Sequence, residues 1–154
     1  MKKQIAKSGA YFLVPSSASR KYVGRVVAHV DDLGAVLCQF LDIEHVESCK
    51  DVEAIRVEEA AILGERFVTK ELLARGTWEL CRNPVPTQEL TSPQLSDIME
   101  GRYVGATIFG AGLVSEFLDT FYGFKSLETW ALPDYVAKFF SQESWSRRRP
   151  AKAV

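Results

Sequence analysis

Two histidines and three cysteines are the residues of this chain whose chemistry would be most specific. His45 and Cys49 stand four apart, a spacing that on a helix would align them as metal ligands. A structural zinc takes four such groups, and only Cys38 and Cys81 could complete the set. His29 and His45 are therefore read as strand-edge polar residues, and no metal is expected. Cys38 with His29 could form a nucleophile pair across a hairpin. An active thiolate needs exposed, electropositive surroundings, whereas Cys38 has Leu37 and Phe40 as neighbours. The cysteines are read instead as small hydrophobes. Their odd number and the lack of a CxxC pairing fit a reducing compartment.

The familiar frameworks of catalysis are missing from the sequence. It contains no GxGxxG or P-loop, no HExxH and no GxSxG elbow. Its ten glycines are scattered, so no run of backbone N–H groups is freed to cradle a phosphate. The expectation is a protein that is not an enzyme and carries no cofactor.

Charge is more informative. Residues 1–30 carry six basic groups and no acid, whereas residues 31–59 carry nine acids against Lys50 and Arg56. Turns and helix starts explain some of these, and capping alone explains Asp51. So dense a surplus still steers cationic protein partners and repels nucleic acid. Asp31, Asp32, Asp42, Glu44, Glu47, Asp51, Glu53 and Glu58 are the residues expected to meet such a partner. A rival reading is a small barrel-like nucleic-acid-binding module using Arg20, Lys21 and Arg25. No aromatic-interleaved RNP pattern supports it.

These residues must be positioned by a fold, and the patterning suggests which. Ala10–Val14 reads as a strand stopped by Pro15. Tyr22–Val30 alternates as a second strand, and Gly34 supplies the positive φ that closes a hairpin into a third, Ala35–Ile43. Ser48 with Asp51 resembles a capping box opening a short helix with Val52 and Ile55 on one stripe. Ile62–Val68 is read as a strand, Lys70–Arg75 as a helix closed by Gly76, and Thr77–Cys81 as a strand. Asn83-Pro84-Val85-Pro86 breaks structure. Tyr103–Phe109 and Leu113–Leu118 read as a hairpin about Gly110-Ala111-Gly112. Phe121–Trp130 is an aromatic loop that plugs one end of the core, and Pro133 opens a last helix using Phe139 and Phe140. The expected fold is α+β: a strongly bent antiparallel sheet or partly open barrel with two or three short helices. It is expected to be one domain over 1–154, with 146–154 a flexible tail.

Several short motifs, taken in order, resemble the immunity-protein family twenty-six of bacterial polymorphic toxin systems. They are Ser8-Gly9-Ala10-Tyr11-Phe12-Leu13-Val14-Pro15, then Tyr22-Val23-Gly24-Arg25-Val26, then Gly76-Thr77-Trp78-Glu79-Leu80 and Asn83-Pro84. Arg82 departs from the pattern, since a small residue is expected before the asparagine. The resemblance implies a protein that binds and neutralises a cognate toxin, as in contact-dependent growth inhibition, and the acidic run points to a basic toxin domain such as a nuclease. The motif residues themselves have structural roles, so the partner surface is expected elsewhere, on the acids of 31–59. The remaining bulk features agree: the chain has 154 residues, 47% hydrophobic and 25% charged, ordinary for a globular domain. No apolar run reaches the length of a membrane span or a signal-peptide core, so a cytoplasmic protein is expected, and the resemblance implies a bacterial one.

Overall fold

The computed structural model describes residues 6–55, 57–81, 92, 94–102 and 107–151. The strands are β1 (Tyr11–Pro15), β2 (Lys21–Val30), β3 (Ala35–Val46), β4 (Ile62–Thr69), β5 (Glu79–Leu80) and β6 (Ile108–Phe109). They form one open sheet in the order β5-β1-β2-β3-β4-β6. The helices among the described residues are α1 (Cys49–Glu53), α2 (Glu71–Ala74), α3 (Leu95–Met99), α4 (Ala111–Phe121), α5 (Pro133–Ala137) and α6 (Gln142–Trp145). The class is α+β, as expected. Two details differ. The sheet is mixed, because β6 runs parallel to β4, and it is not a barrel. Six short helices replace the two or three expected. Among the described residues no helix is long and apolar enough to cross a membrane.

Two neighbouring register rows organise the sheet. In the first, Phe12 pairs with Gly24, Gly24 with Phe40, and Phe40 with Gly64. A Cβ at Gly24 would strike the Phe12 ring, and one at Gly64 would strike the Phe139 carbonyl. Glycine is thus required for close approach at both positions. Trp78 packs against the rings of this row, stacked on Phe12 at 5.2 Å and edge-on to Phe40 at 6.0 Å. Phe117, Phe121, Phe139 and Phe140 from the helical side complete the main core.

Alternation puts the next row on the opposite face. There Tyr11 pairs with Arg25, Arg25 with Gln39, and Gln39 with Glu65. Apolar clusters flank this polar row on either side. One gathers Leu13, Val23, Leu41, Val52 and Val57 under α1, and the other Val27, Leu37 and Phe67 beside Ile98 of α3.

The strand expected over Leu113–Leu118 is instead part of α4. Val114, Phe117, Leu118 and Phe121 are all buried, a three-and-four spacing that only a helix turns to one side. A six-residue window is too short to separate that period from a continuous apolar strand. Of the strand expected over Tyr103–Phe109, β6 is the part seen, residues 103–106 lying outside the described residues. Arg82 and the Asn83–Pro86 break also lie outside them.

The cysteine reading needs correction. Cys49 and Cys81 form a disulfide with Cα atoms 5.3 Å apart, well within the range that geometry permits. Cys81 sits just past β5, held by its N–H to the Tyr11 carbonyl, and α1 folds across the same face to deliver Cys49. Only Cys38 is a free thiol.

Gly24→Ala is expected to cost about 1–3 kcal/mol through overpacking against Phe12, read by urea denaturation. Replacing both Cys49 and Cys81 by Ser should cost roughly 3–4 kcal/mol, the chain-entropy value for a loop of this length. A denaturation midpoint unmoved by dithiothreitol would contradict the second expectation.

Candidate binding surface

The acids of residues 31–59 do not make one face. Asp31 and Asp32 are exposed on the single 3-10 turn between β2 and β3. Asp42 onward lies at the far end of the same hairpin, about 25 Å away at the usual rise per strand residue. The acids near α1 are themselves of several kinds.

Asp42 and Glu44 sit on an irregular stretch of β3. Lys21 pairs with Val46 but Val23 with Leu41, so β3 carries extra residues between those points. The Asp42 N–H turns to the Ala61 carbonyl at 2.9 Å, and His45 takes a positive φ of 66°. This excursion bends the strand and re-aims its side chains. Arg149 lies across it, its Nε donating to Glu44 at 2.8 Å and its Nη2 to Asp42 at 3.1 Å. The Arg149 N–H is tied to the Phe121 carbonyl at 2.8 Å. Burial works against the Arg149 charge, but Asp42 and Glu44 outweigh it and hold its pKa above the usual value. Tyr122 also donates to Asp42, at 3.0 Å, and stacks on Tyr22, whose hydroxyl donates to the buried Asp119 at 2.5 Å. Asp42 and Glu44 are thereby engaged within the chain.

Asp51 is a capping residue. It accepts from the Glu47 N–H at 2.8 Å and the Ser48 N–H at 3.1 Å, as the sequence spacing suggested. Glu47 and Glu53 are exposed around α1, with Ile55 39% exposed beside them in sequence. The Glu58 side chain is outside what the structure describes. Sequence reasoning missed Arg149, which it placed in a tail, and missed Ile55 as an exposed apolar group. A helical stripe gave no sign that α1 ends at Glu53 and leaves Ile55 beyond its packed side.

The remaining chemical candidates are dispersed. The His29 Nε2 meets the Ala6 carbonyl. Cys38 is fully buried, which pushes its thiol pKa far up, so it is no thiolate at neutral pH. His45 is exposed beside Glu44. Among the described residues no three or more His, Cys, Asp or Glu side chains cluster so as to hold a metal.

Across the second sheet face hydrogen bonds link Arg25, Gln39 and Glu65. Arg25 donates to Gln39 Oε1 from Nε at 3.1 Å and from Nη2 at 2.5 Å. Gln39 Nε2 donates to Glu65 at 3.1 Å, and the Gln94 N–H donates to the other Glu65 oxygen at 3.1 Å. Gln39 thus bridges two buried groups of opposite charge.

The fold and surface define an open-sheet α+β domain with an acidic lobe at one end. No family model, no curated protein and no solved structure matches the chain.

The two N–H donors hold the Asp51 carboxyl below the ordinary carboxylate range. Its stabilising contribution is therefore present above the unfolded pKa of about 3.9 and fades as pH falls through the lower folded value. Asp51→Asn should be less stable than the parent at pH 7, and the difference should shrink progressively as pH falls below the unfolded carboxyl value. Denaturation midpoints measured across that range check it.

Proposed function

We propose that the chain is a non-catalytic immunity protein that binds a cognate bacterial toxin by occlusion, and that the α1 lobe is its docking surface. The observation that carries the reading is the lobe itself. Glu47 and Glu53 are exposed about a helix that Cys49–Cys81 fastens to the edge of the sheet, and Ile55, two residues past Glu53, is an exposed apolar residue. Exposed acids with an exposed apolar residue close to them in sequence suit a basic protein surface such as a nuclease cleft, where charge speeds encounter and the apolar group adds contact. A pre-fastened lobe also loses little freedom on binding.

The motif resemblance supports the same reading. Tyr11, Phe12, Gly24, Arg25 and Trp78 all lie in or against the two register rows. Motif residues with structural duties leave partner choice to the surface. Arg20 and Arg25, central to the nucleic-acid reading, lend it no support: Arg25 is buried on Gln39, and Arg20 lies over the Phe124 ring. The proposed place of action is the cytoplasm of the producing cell. With Cys49 and Cys81 paired, the cysteine count no longer argues for that compartment, which rests on the proposed function alone.

The test uses Glu47→Lys with Glu53→Lys, because Asp42 and Glu44 are bound to Arg149 and their reversal would disturb the fold. Co-expressed with the product of the neighbouring open reading frame, the parent should protect the cell and the double variant should not. Its association should slow by about tenfold or more at low salt, converging on the parent at high salt. Unchanged affinity at low salt would sink the acidic-lobe reading.

A further inference from the structure

Two partly buried arginines of this chain meet opposite electrostatics. Arg149 has two carboxylates on its guanidinium. Arg66 has none among the described residues: it donates to the Glu65 carbonyl at 2.7 Å and to the Lys138 carbonyl at 2.6 Å. Burial lowers the Arg66 pKa, and the nearby Glu65 charge only partly offsets this. The Glu65 carboxylate is already engaged by Gln39 and Gln94. Carbonyl partners relieve two of the five guanidinium N–H donors, leaving three, and they do not neutralise its charge.

This arginine borders a cavity of about 300 Å³ outside β4, where Lys138, Thr107, Tyr135 and Phe109 also line the walls. Lys138 is exposed, with no carboxylate on it among the described residues. The cavity stands at the small end of the range seen for ligand sites. Among the described residues of the lining, Arg66 and Lys138 against Glu65 leave one positive charge in excess, which matches a single negative charge better than a doubly charged phosphate. Phe109 and Tyr135 supply an apolar and aromatic wall beside the cations, and Thr107 adds a hydroxyl.

We propose that this cavity binds a small organic carboxylate, its anionic end on Arg66 and its apolar body against Phe109 and Tyr135. The site is on the β4–β6 side of the sheet, and the inference is independent of the toxin-binding reading.

Titration of the full chain with benzoate, followed by amide NMR shifts, tests it. Saturable shifts centred on Thr107, Phe109 and Lys138 are expected. Benzamide, of the same shape but neutral, should bind at least about tenfold more weakly, the scale of a lost charge-assisted hydrogen bond. Arg66→Gln should weaken benzoate to a similar degree. Because Arg66 also holds two carbonyls, Lys138→Gln, at an exposed position, provides a second variant, expected to weaken benzoate severalfold. Absence of saturable shifts, equal binding of benzamide, or benzoate binding untouched by both variants would overturn the proposal. Tighter binding of phenyl phosphate than of benzoate would overturn the assignment of a monoanion.

Discussion

The absence of a side chain at Gly24 and Gly64 is the constraint on which the rest of this structure depends. Phe40 stands between them in register, and the space they leave is filled from outside the central strands: by the Phe12 ring over Gly24 and by the Phe139 backbone over Gly64. Phe12 in turn carries Trp78, which draws the chain after α2 back over the sheet so that β5 meets β1. Phe139 fixes where α5 ends, and Ser141 then bonds the Leu63 carbonyl at 2.8 Å and starts α6. A methyl group at either glycine would displace a ring or a backbone that positions a whole element. Dense interiors offer no slack to absorb such a shift.

One residue along each strand, the same four strands carry the opposite solution. Arg25, Gln39 and Glu65 are all buried, at 7%, 0% and 5% exposure, and a neutral amide joins the two charges. Such a row stabilises only while complete, because any single loss leaves a buried charge unsatisfied. It also divides the second face into two apolar patches, each with its own cover. The α1 lobe covers one patch, and its disulfide to Cys81 ties the cover to the far edge of the sheet. The acidic lobe is therefore rigidly related to the core through an apolar seat and a covalent strap.

Electrostatic roles within the chain are set by what folds onto each charge. Asp42 and Glu44 look in the sequence like members of a solvated acidic run, yet both are paired with Arg149. Asp51 closes a helix end, while Glu47 and Glu53 face solvent. Arg66, with carbonyls where Arg149 has carboxylates, is the reverse case. Residues alike in type thus divide into structural, capping and available charges, and only the last class is open to a partner.

What the sequence by itself determined was local. The alternation of β2, the positive φ at Gly34 and Gly76, and the Ser48–Asp51 cap at α1 follow from residues within a few positions of one another. The α4 period was equally present in Val114, Phe117, Leu118 and Phe121, and a longer window recovers it. Tertiary structure alone decided the pairing of Cys49 with Cys81 across 32 residues, and the return of Arg149 to Asp42 across 107. It also decided that the acids of residues 31–59 split between two ends of a hairpin. Short-range dihedral and hydrogen-bond preferences are written in neighbouring residues. Which distant charge or thiol arrives at a given place depends on how the sheet and its covers pack, and no local spacing encodes that.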